Sequence, residues 1–256
     1  MRQLTAFTKK EFMELFRTGK AYILLILFFM FGIMNPAIAK LTPWMLEMLS
    51  ETMKEQGIIV NHIDVNAMTS WQQYFKNMSM EFIVLVVMFY GTVVSEIQKG
   101  TLINMFTKGL SRWKALIAKM LAATAAWSFC YWMCFCITYG YNAYFWDNSI
   151  ASNLGLAALG SYLFGIWLIS VIILSSSFLS SPIGVLLSTA MAYVLCSLIS
   201  MVPDLAAYIP SRLASGYELV SGVSASGNYK WAFIVTSALI LLNMVLAVMG
   251  FNKRRI

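Results

Sequence analysis

The chain has 256 residues, of which 60% are hydrophobic and only 11% are charged, and its formal net charge is +7. Soluble domains carry about 25% charged residues, and a soluble fold of this length could not bury so much apolar surface, so the composition indicates an integral membrane protein. Its basic residues cluster beside apolar segments, as membrane topology requires, and we therefore expect no nucleic-acid partner.

The first 20 residues predict an amphipathic helix lying in the membrane interface. The apolar side chains that can share one helix face are Leu4, Phe12, Leu15 and Phe16. The basic side chains that lie largely on another face are Lys9, Lys10 and Arg17. Phe7 and Glu11 do not fit this pattern, and the alternative is an unstructured basic lead. Because the stretch is long, polar and acidic in part, we do not expect a cleavable signal peptide.

Six apolar segments are long enough to cross a bilayer, which takes about 20 residues. We predict spans at 21–39, 79–96, 115–139, 153–174, 183–202 and 231–251. The fourth and fifth are separated only by a serine-rich stretch ending at Pro182, which predicts a tight turn. The predicted fold class is an all-α polytopic membrane protein, a single domain over 1–256 with six transmembrane helices preceded by the interfacial helix.

The basic residues are distributed unevenly between the two sides of these spans. Most of them lie before the first span, between the second and third, and after the sixth. Lys and Arg near span ends resist translocation, so we expect both termini in the cytoplasm of a cell whose plasma (inner) membrane holds the chain. The segment 97–114 is then a cytoplasmic loop, and 40–78 and 203–230 are extracellular.

Two features inside the spans have candidate roles. The uncharged stretch between Glu81 and Glu96 is shorter than a full span, so Glu81 either lies among the outer headgroups or faces the bundle and helps to gate an external exit. The Asn35-Pro36 pair predicts a kink in the first span, and the Asn amide and the freed carbonyl need partners on neighbouring helices.

No catalytic, cofactor-binding or metal-binding pattern is present. The chain contains neither a phosphate-binding loop, nor His-Glu-x2-His, nor Gly-x-Ser-x-Gly, and its one histidine, His62, is in a predicted outside loop. The cysteines lie inside apolar runs, where we expect packed thiols rather than disulfides: Cys130, Cys134, Cys136 and Cys196. We therefore expect a non-catalytic membrane subunit.

The loop between the second and third spans is the most distinctive segment. Its short apolar middle, 102–106, predicts a helix with exposed apolar side chains, a suitable docking surface for a soluble partner. The loop reads Glu96-x3-Gly100-Thr101-Leu102 and then Leu110-Ser111-Arg112-Trp113 followed by Lys119. With the basic lead and the C-terminal Phe251-x-Lys253-Arg254-Arg255, these patterns resemble the permease subunits of type-2 ABC exporters. That family usually has a Pro where this chain has Lys108-Gly109.

The resemblance implies a set of partners. Two permease chains, identical or paralogous, would pair in the bilayer, and each would dock on a separate ATPase chain that binds ATP and Mg. The coupling loop would enter a groove on the ATPase with Leu102, Met105 and Phe106. The docking and coupling residues implied in this way are Glu96, Lys99, Gly100, Thr101, Leu102, Met105, Phe106 and Arg112.

The expected function is export of a hydrophobic or amphipathic cargo, with an antimicrobial or toxic peptide or a drug as the first hypothesis, because aromatic residues are abundant in the predicted spans. Two alternatives stay open. One is an ATP-independent secondary carrier or channel. The other is a membrane immunity or assembly factor that transports nothing.

Overall fold

The computed structural model describes residues 2–55, 65–223 and 226–254. Over these ranges the secondary structure is helical throughout, with short 3₁₀ turns at Asn148–Ile150 and Ser226–Tyr229. The helices are α1 (Arg2–Arg17), α2 (Lys20–Glu55), α3 (Ala67–Phe89), α4 (Val94–Gln98), α5 (Thr101–Thr107), α6 (Arg112–Phe145), α7 (Leu154–Phe178), α8 (Pro182–Ile199), α9 (Pro203–Ala206), α10 (Ser211–Ala214), α11 (Gly216–Val220) and α12 (Lys230–Lys253).

The prediction of six helices long and apolar enough to cross a membrane is confirmed, and the protein is a multi-pass membrane protein. The candidate spans are Lys20–Met45, Ala67–Gln98, Arg112–Phe145, Leu154–Phe178, Pro182–Ile199 and Lys230–Lys253. Each predicted span overlaps one of them. The predicted turn between the fourth and fifth spans is also present, since α7 ends at Phe178 and α8 begins with Pro182 in its first turn, where a proline needs no backbone donor.

Helix α3 begins earlier than predicted. Its cap is Asn66, whose side chain accepts hydrogen bonds from the backbone amides of Met68 and Thr69. The first turns of α3 contain polar residues that hide the pattern, but their large apolar side chains recur on one buried face: Trp71, Tyr74, Phe75 and Met78. Much of the segment predicted to be an extracellular loop is therefore part of a packed helix.

Helix α2 continues through Pro36 and Pro43 as one helix. Asn35 is fully buried, and its side-chain oxygen accepts a hydrogen bond of 2.7 Å from Asn77 Nδ2 on α3. The oxygen of the Asn35 amide thus has a partner on a neighbouring helix, while its Nδ2 atom has none among the described residues; a kink at Pro36 stays a prediction. Lys40 Nζ lies 3.6 Å from the ring centre of Phe145 and joins α2 to the end of α6.

Helix α7 is the centre of the bundle and packs against α3, α6, α8 and α12. Two glycines allow this close packing. A Cβ at Gly165 would lie 2.3 Å from the Trp127 ring of α6, and one at Gly160 would lie 3.3 Å from the Leu213 carbonyl oxygen of α10. Helix α8, in contrast, exposes most of its apolar side chains.

Two ends of the bundle differ in composition. We call one the basic end; it comprises α1, α4, α5, the start of α6 and the last turn of α12. The opposite end comprises the start of α3, the end of α8 and the short helices α9, α10 and α11.

Candidate functional site

A buried group of charged side chains joins three helices at the basic end. It consists of Lys10 and Glu11 of α1, Glu96 of α4 and Lys119 of α6, and we call it the ionic cluster. Lys119 Nζ lies 3.0 Å from a Glu11 oxygen and 2.9 Å from a Glu96 oxygen. Lys10 Nζ lies 3.0 Å from Glu11 and 2.8 Å from Glu96. The carboxylates of Glu11 and Glu96 thus each bridge Lys10 and Lys119, and Lys10 also pairs with Glu14 of α1.

Three of the four members of the ionic cluster are largely excluded from solvent, and the Lys10 side chain is 30% exposed. Lys119 is 1% exposed, Glu11 is 4% exposed and Glu96 is 8% exposed. Partial burial by itself would lower the pKa of Lys10, but hydrogen bonds to Glu14 and Glu96 and the charge of Glu11 raise that pKa above the usual lysine value. Lys10 is therefore charged at neutral pH. Removing one member of such a buried set typically costs about 3–5 kcal/mol, because the remaining charges are left uncompensated.

The carboxylates of Glu11, Glu14 and Glu96 lie close enough to share a metal ion. Lysine ammonium groups, however, already lie within 3.0 Å of Glu11 and Glu96. The lysines already supply the positive charge that a metal ion would bring. The ion pairs of this cluster therefore connect the helices to one another.

Glu11 explains the irregular pattern in α1. The buried side chains of this helix are Phe7, Glu11 and Leu15, spaced four residues apart, while Phe16 is 50% exposed. The predicted apolar face is therefore wrong in part: the helix is rotated so that Glu11 points at α6. In the sequence, the spacing of Glu11 four residues from both Phe7 and Leu15 indicates a buried acid that needs a basic partner. The sequence does not indicate which lysine that partner is.

The short pattern Glu96-x3-Gly100-Thr101 has a local structural reason. Gly100 has a φ of +73° and ends α4 in the left-handed conformation that favours glycine. Thr101 then turns back, and its hydroxyl donates to the Glu96 carbonyl oxygen at 3.1 Å. Gly109, with a φ of +92°, reverses the chain again before α6. These two turns set the direction of α5 between α4 and α6.

The apolar face of α5 is directed at its own chain. Leu102 is fully buried, Met105 and Phe106 are half-buried, and the Phe106 ring lies 6.0 Å from that of Phe251. The prediction that Leu102 presents an exposed apolar surface is wrong, because α12 and α6 supply the partners for this amphipathic helix. The exposed residues of α5 and its flanks are polar: Lys99, Thr101, Asn104, Thr107 and Lys108.

Arg112 positions the end of α12. Its Nη1 atom donates to the carbonyl oxygens of Phe251, Asn252 and Arg254, at 3.0, 3.2 and 2.7 Å. The last carbonyls of a helix lack partners within the helix, so a guanidinium is well suited to bind them. Arg254 in turn donates to the Ser176 carbonyl oxygen of α7 at 2.8 Å. The basic end is thus tied to the central helix as well.

A groove separates α1 from α5 at the surface of the basic end. It has a volume of about 320 Å³. Phe7, Lys10, Met105 and Lys108 are among the side chains that line it. Phe7, Met105 and Leu110 of its lining belong to the packed core beneath α5, and Lys10 and Lys108 make the groove basic.

Glu81 lies in a different part of the bundle and is fully buried. One carboxyl oxygen accepts a hydrogen bond from Cys134 Sγ at 3.4 Å, and the other has no partner among the described residues. Glu81 therefore faces the interior of the bundle, and its role in gating stays a prediction. Among the described residues it forms no ion pair. The four cysteines are free thiols.

No family model matches the chain, and no curated protein is similar to it. The case for a function therefore depends on what the chain itself brings together. The residues that sequence reasoning selected in the loop occupy one end of the bundle, and two of them, Glu96 and Arg112, connect that loop to other helices.

Proposed function

We propose that this chain is the transmembrane permease subunit of an ATP-driven exporter, similar to type-2 ABC exporters. Its basic end faces the cytoplasm and docks on a separate ATPase chain, which binds ATP and Mg and performs the hydrolysis. One observation carries the proposal. The ionic cluster joins α1, the α4–α5 loop and α6, so a displacement of the loop moves a transmembrane helix with it.

The physical argument concerns the transmission of force. A loop attached only by its chain ends bends when it is pushed, whereas a loop fixed by buried ion pairs and packed side chains moves with its neighbours. Glu96 and Lys119 form one such attachment, and Phe106 packed on Phe251 forms another. We therefore expect the loop to move as a rigid unit with the spans when a partner displaces its exposed face.

The docking surface differs from the one that the resemblance implies. Because Leu102 is buried in its own chain, the partner contacts the polar face of α5 and the adjoining groove. Lys99 and Lys108 are exposed there, and their charge favours an acidic docking surface on the ATPase. The apolar side chains of α5 fix the loop to the rest of the chain.

The rest of the assembly follows from the same proposal. Two such chains, identical or paralogous, pair in the bilayer, with two copies of the ATPase below them. The cargo is hydrophobic or amphipathic, and a toxic peptide or a drug is the first candidate. The exposed apolar faces of α2, α8 and α12 lie against lipid or against the second chain.

The test is co-purification of the full chain with an ABC-type ATPase co-expressed from the same source. Charge reversal at both exposed lysines, Lys99→Glu with Lys108→Glu, should abolish association, while membrane insertion stays normal. Lys230→Glu, at the opposite end, is the matched control and should leave association unchanged. Nucleotide-independent cargo transport at full rate by the chain alone, in liposomes, would contradict the proposal.

A second candidate function is an ATP-independent carrier, and Glu81 is the observation that favours it. An ionisable side chain within a membrane span often marks a proton or ion pathway. In that case, a proton gradient alone would drive uptake into liposomes, and Glu81→Gln would abolish it. The same variant leaves ATP-driven transport intact if Glu81 has only a packing role.

A further inference from the structure

A polar pocket of about 490 Å³ opens between α3, α8 and the short helices α10 and α11 at the opposite end. Three of its side chains recur along one face of α3: Gln72, Lys76 and Ser79. All three are exposed and make no hydrogen bond or ion pair within the described residues. Ser197 and Ser215 line the facing side.

The face of α3 changes character at this pocket. One and two turns further along, Ile83 is 57% exposed and Val87 is 49% exposed. Exposed aliphatic side chains are expected where a helix faces lipid tails. The polar row from Gln72 to Ser79 therefore begins where the lipid-facing part of the helix ends.

The depth of the pocket follows from helix geometry. Lys76 precedes Glu96 by 20 positions, and α3, the turn at 90–93 and α4 cover this stretch. A continuous helix of that length would extend about 30 Å. This is about the thickness of the hydrocarbon core of a bilayer. With the ionic cluster at one membrane interface, Lys76 lies at the other, at the level of the lipid headgroups.

The charge of the pocket is unbalanced. Its lining contains Lys76 and, among the described residues, neither Asp nor Glu. Lys119 at the basic end pairs with two carboxylates, those of Glu11 and Glu96, whereas Lys76 has no carboxylate partner among the described residues. An unpaired ammonium group beside neutral donors suits an anionic group with several oxygens.

The available donors are on α3 and near α10. The Ser197 hydroxyl already donates to the Tyr193 carbonyl oxygen at 3.0 Å. The hydroxyls of Ser79 and Ser215 and the amide of Gln72 have no such intramolecular acceptor among the described residues. Together with Lys76 they line the open side of the pocket.

We propose that this pocket binds the anionic headgroup, phosphate or carboxylate, of an amphiphile in the membrane. Lys76 supplies the charge, Gln72, Ser79 and Ser215 supply hydrogen bonds, and the apolar tail lies along the exposed side of α8. The site is formed by one chain, so it does not depend on docking to an ATPase.

The test measures ligand retention by the full chain in a neutral detergent, using native mass spectrometry. The probes are dioctanoyl phosphatidic acid, decanoic acid, and dioctanoylglycerol as the uncharged probe with the same tails as the first. Retention of phosphatidic acid alone supports a lipid phosphate as the ligand, retention of decanoate alone supports a carboxylate, and retention of both supports a general anion site. Retention of neither anion, or equal retention of dioctanoylglycerol, overturns the proposal.

Variants locate the site. Lys76→Gln should weaken anion binding about tenfold or more, because a charge-assisted contact is lost, and Lys76→Arg should stay within about threefold of the parent. Lys230→Gln, an exposed lysine outside the pocket, should have no effect. If Lys76→Gln does not yield folded protein, Ser79→Ala should still weaken binding by about threefold. Unchanged binding in Lys76→Gln, or an equal loss in Lys230→Gln, would contradict the assignment.

Discussion

The two ends of the bundle use lysine in opposite ways. At the basic end, Lys119 is 1% exposed and lies within 3.0 Å of two carboxylates. At the opposite end, Lys76 is exposed and has no carboxylate partner among the described residues. A buried, compensated charge fixes helices to one another, because separating it from its partners leaves uncompensated charge in an apolar environment. An exposed, uncompensated charge contributes little to the fold and remains available to a ligand.

The largest expected effect is at the centre of the ionic cluster. Lys119→Met keeps most of the side-chain volume but leaves Glu11 and Glu96 with reduced compensation, and it should cost about 3–5 kcal/mol of unfolding free energy. Thermal unfolding in detergent measures this. Lys114→Met, on the same helix with an exposed hydrogen bond to Gln3 and an ammonium group 5.7 Å from the Trp113 ring centre, should cost less than about 1 kcal/mol. Equal losses of unfolding free energy in the two variants would show that the buried ion pairs stabilise the protein no more than a surface lysine does.

A matched pair of Glu→Gln variants separates a paired buried acid from an unpaired one. Glu96→Gln removes the charge that faces two ammonium groups and should destabilise the protein by about 2–4 kcal/mol. Glu81→Gln replaces a buried carboxyl group that has no cation partner among the described residues, so the free energy of unfolding of this variant should stay within about 1 kcal/mol of the parent. The measurement is unfolding of both proteins in the same detergent. A larger loss of unfolding free energy in Glu81→Gln than in Glu96→Gln would contradict this distinction between the two acids.

A smaller loss is expected at the tie between the loop and the last helix. Arg112→Gln shortens the side chain and removes the contacts to the carbonyls of Phe251, Asn252 and Arg254, at a cost of about 1–3 kcal/mol. Hydrogen exchange should accelerate in the last turn of α12 and remain slow in α7. Lys108→Gln, exposed in the same loop, is the control and should change neither. If Arg112→Gln leaves hydrogen exchange in α12 unaltered, the contact of Arg112 with the last carbonyls of α12 does not stabilise that helix end.

The smallest effect is expected at the opposite end. Lys76→Gln should change the unfolding free energy by less than about 0.5 kcal/mol, since an exposed unpaired lysine contributes little to stability. The same variant is expected to lose anion binding, so stability and binding should separate at this position. A large loss of stability would indicate that Lys76 is part of the packed structure.

Some predictions succeeded because their signals are local. The six spans follow from segment length and apolar content, and the α7–α8 turn follows from Pro182 after a run of serines. The early start of α3 was missed because its polar residues conceal a buried aromatic face, and the exposure of Leu102 was misjudged because an amphipathic helix does not reveal what covers its apolar side.

The sequence by itself determined the membrane class, the number of spans and the location of the basic segments, because bilayer thickness and charge act on short, contiguous stretches. The pairing of Glu11 with Lys119, 108 positions apart, and the burial of Glu81 were decided only by the tertiary structure. Hydropathy records that a side chain belongs in an apolar or a polar environment. Which partner supplies that environment depends on helices that meet in space after folding.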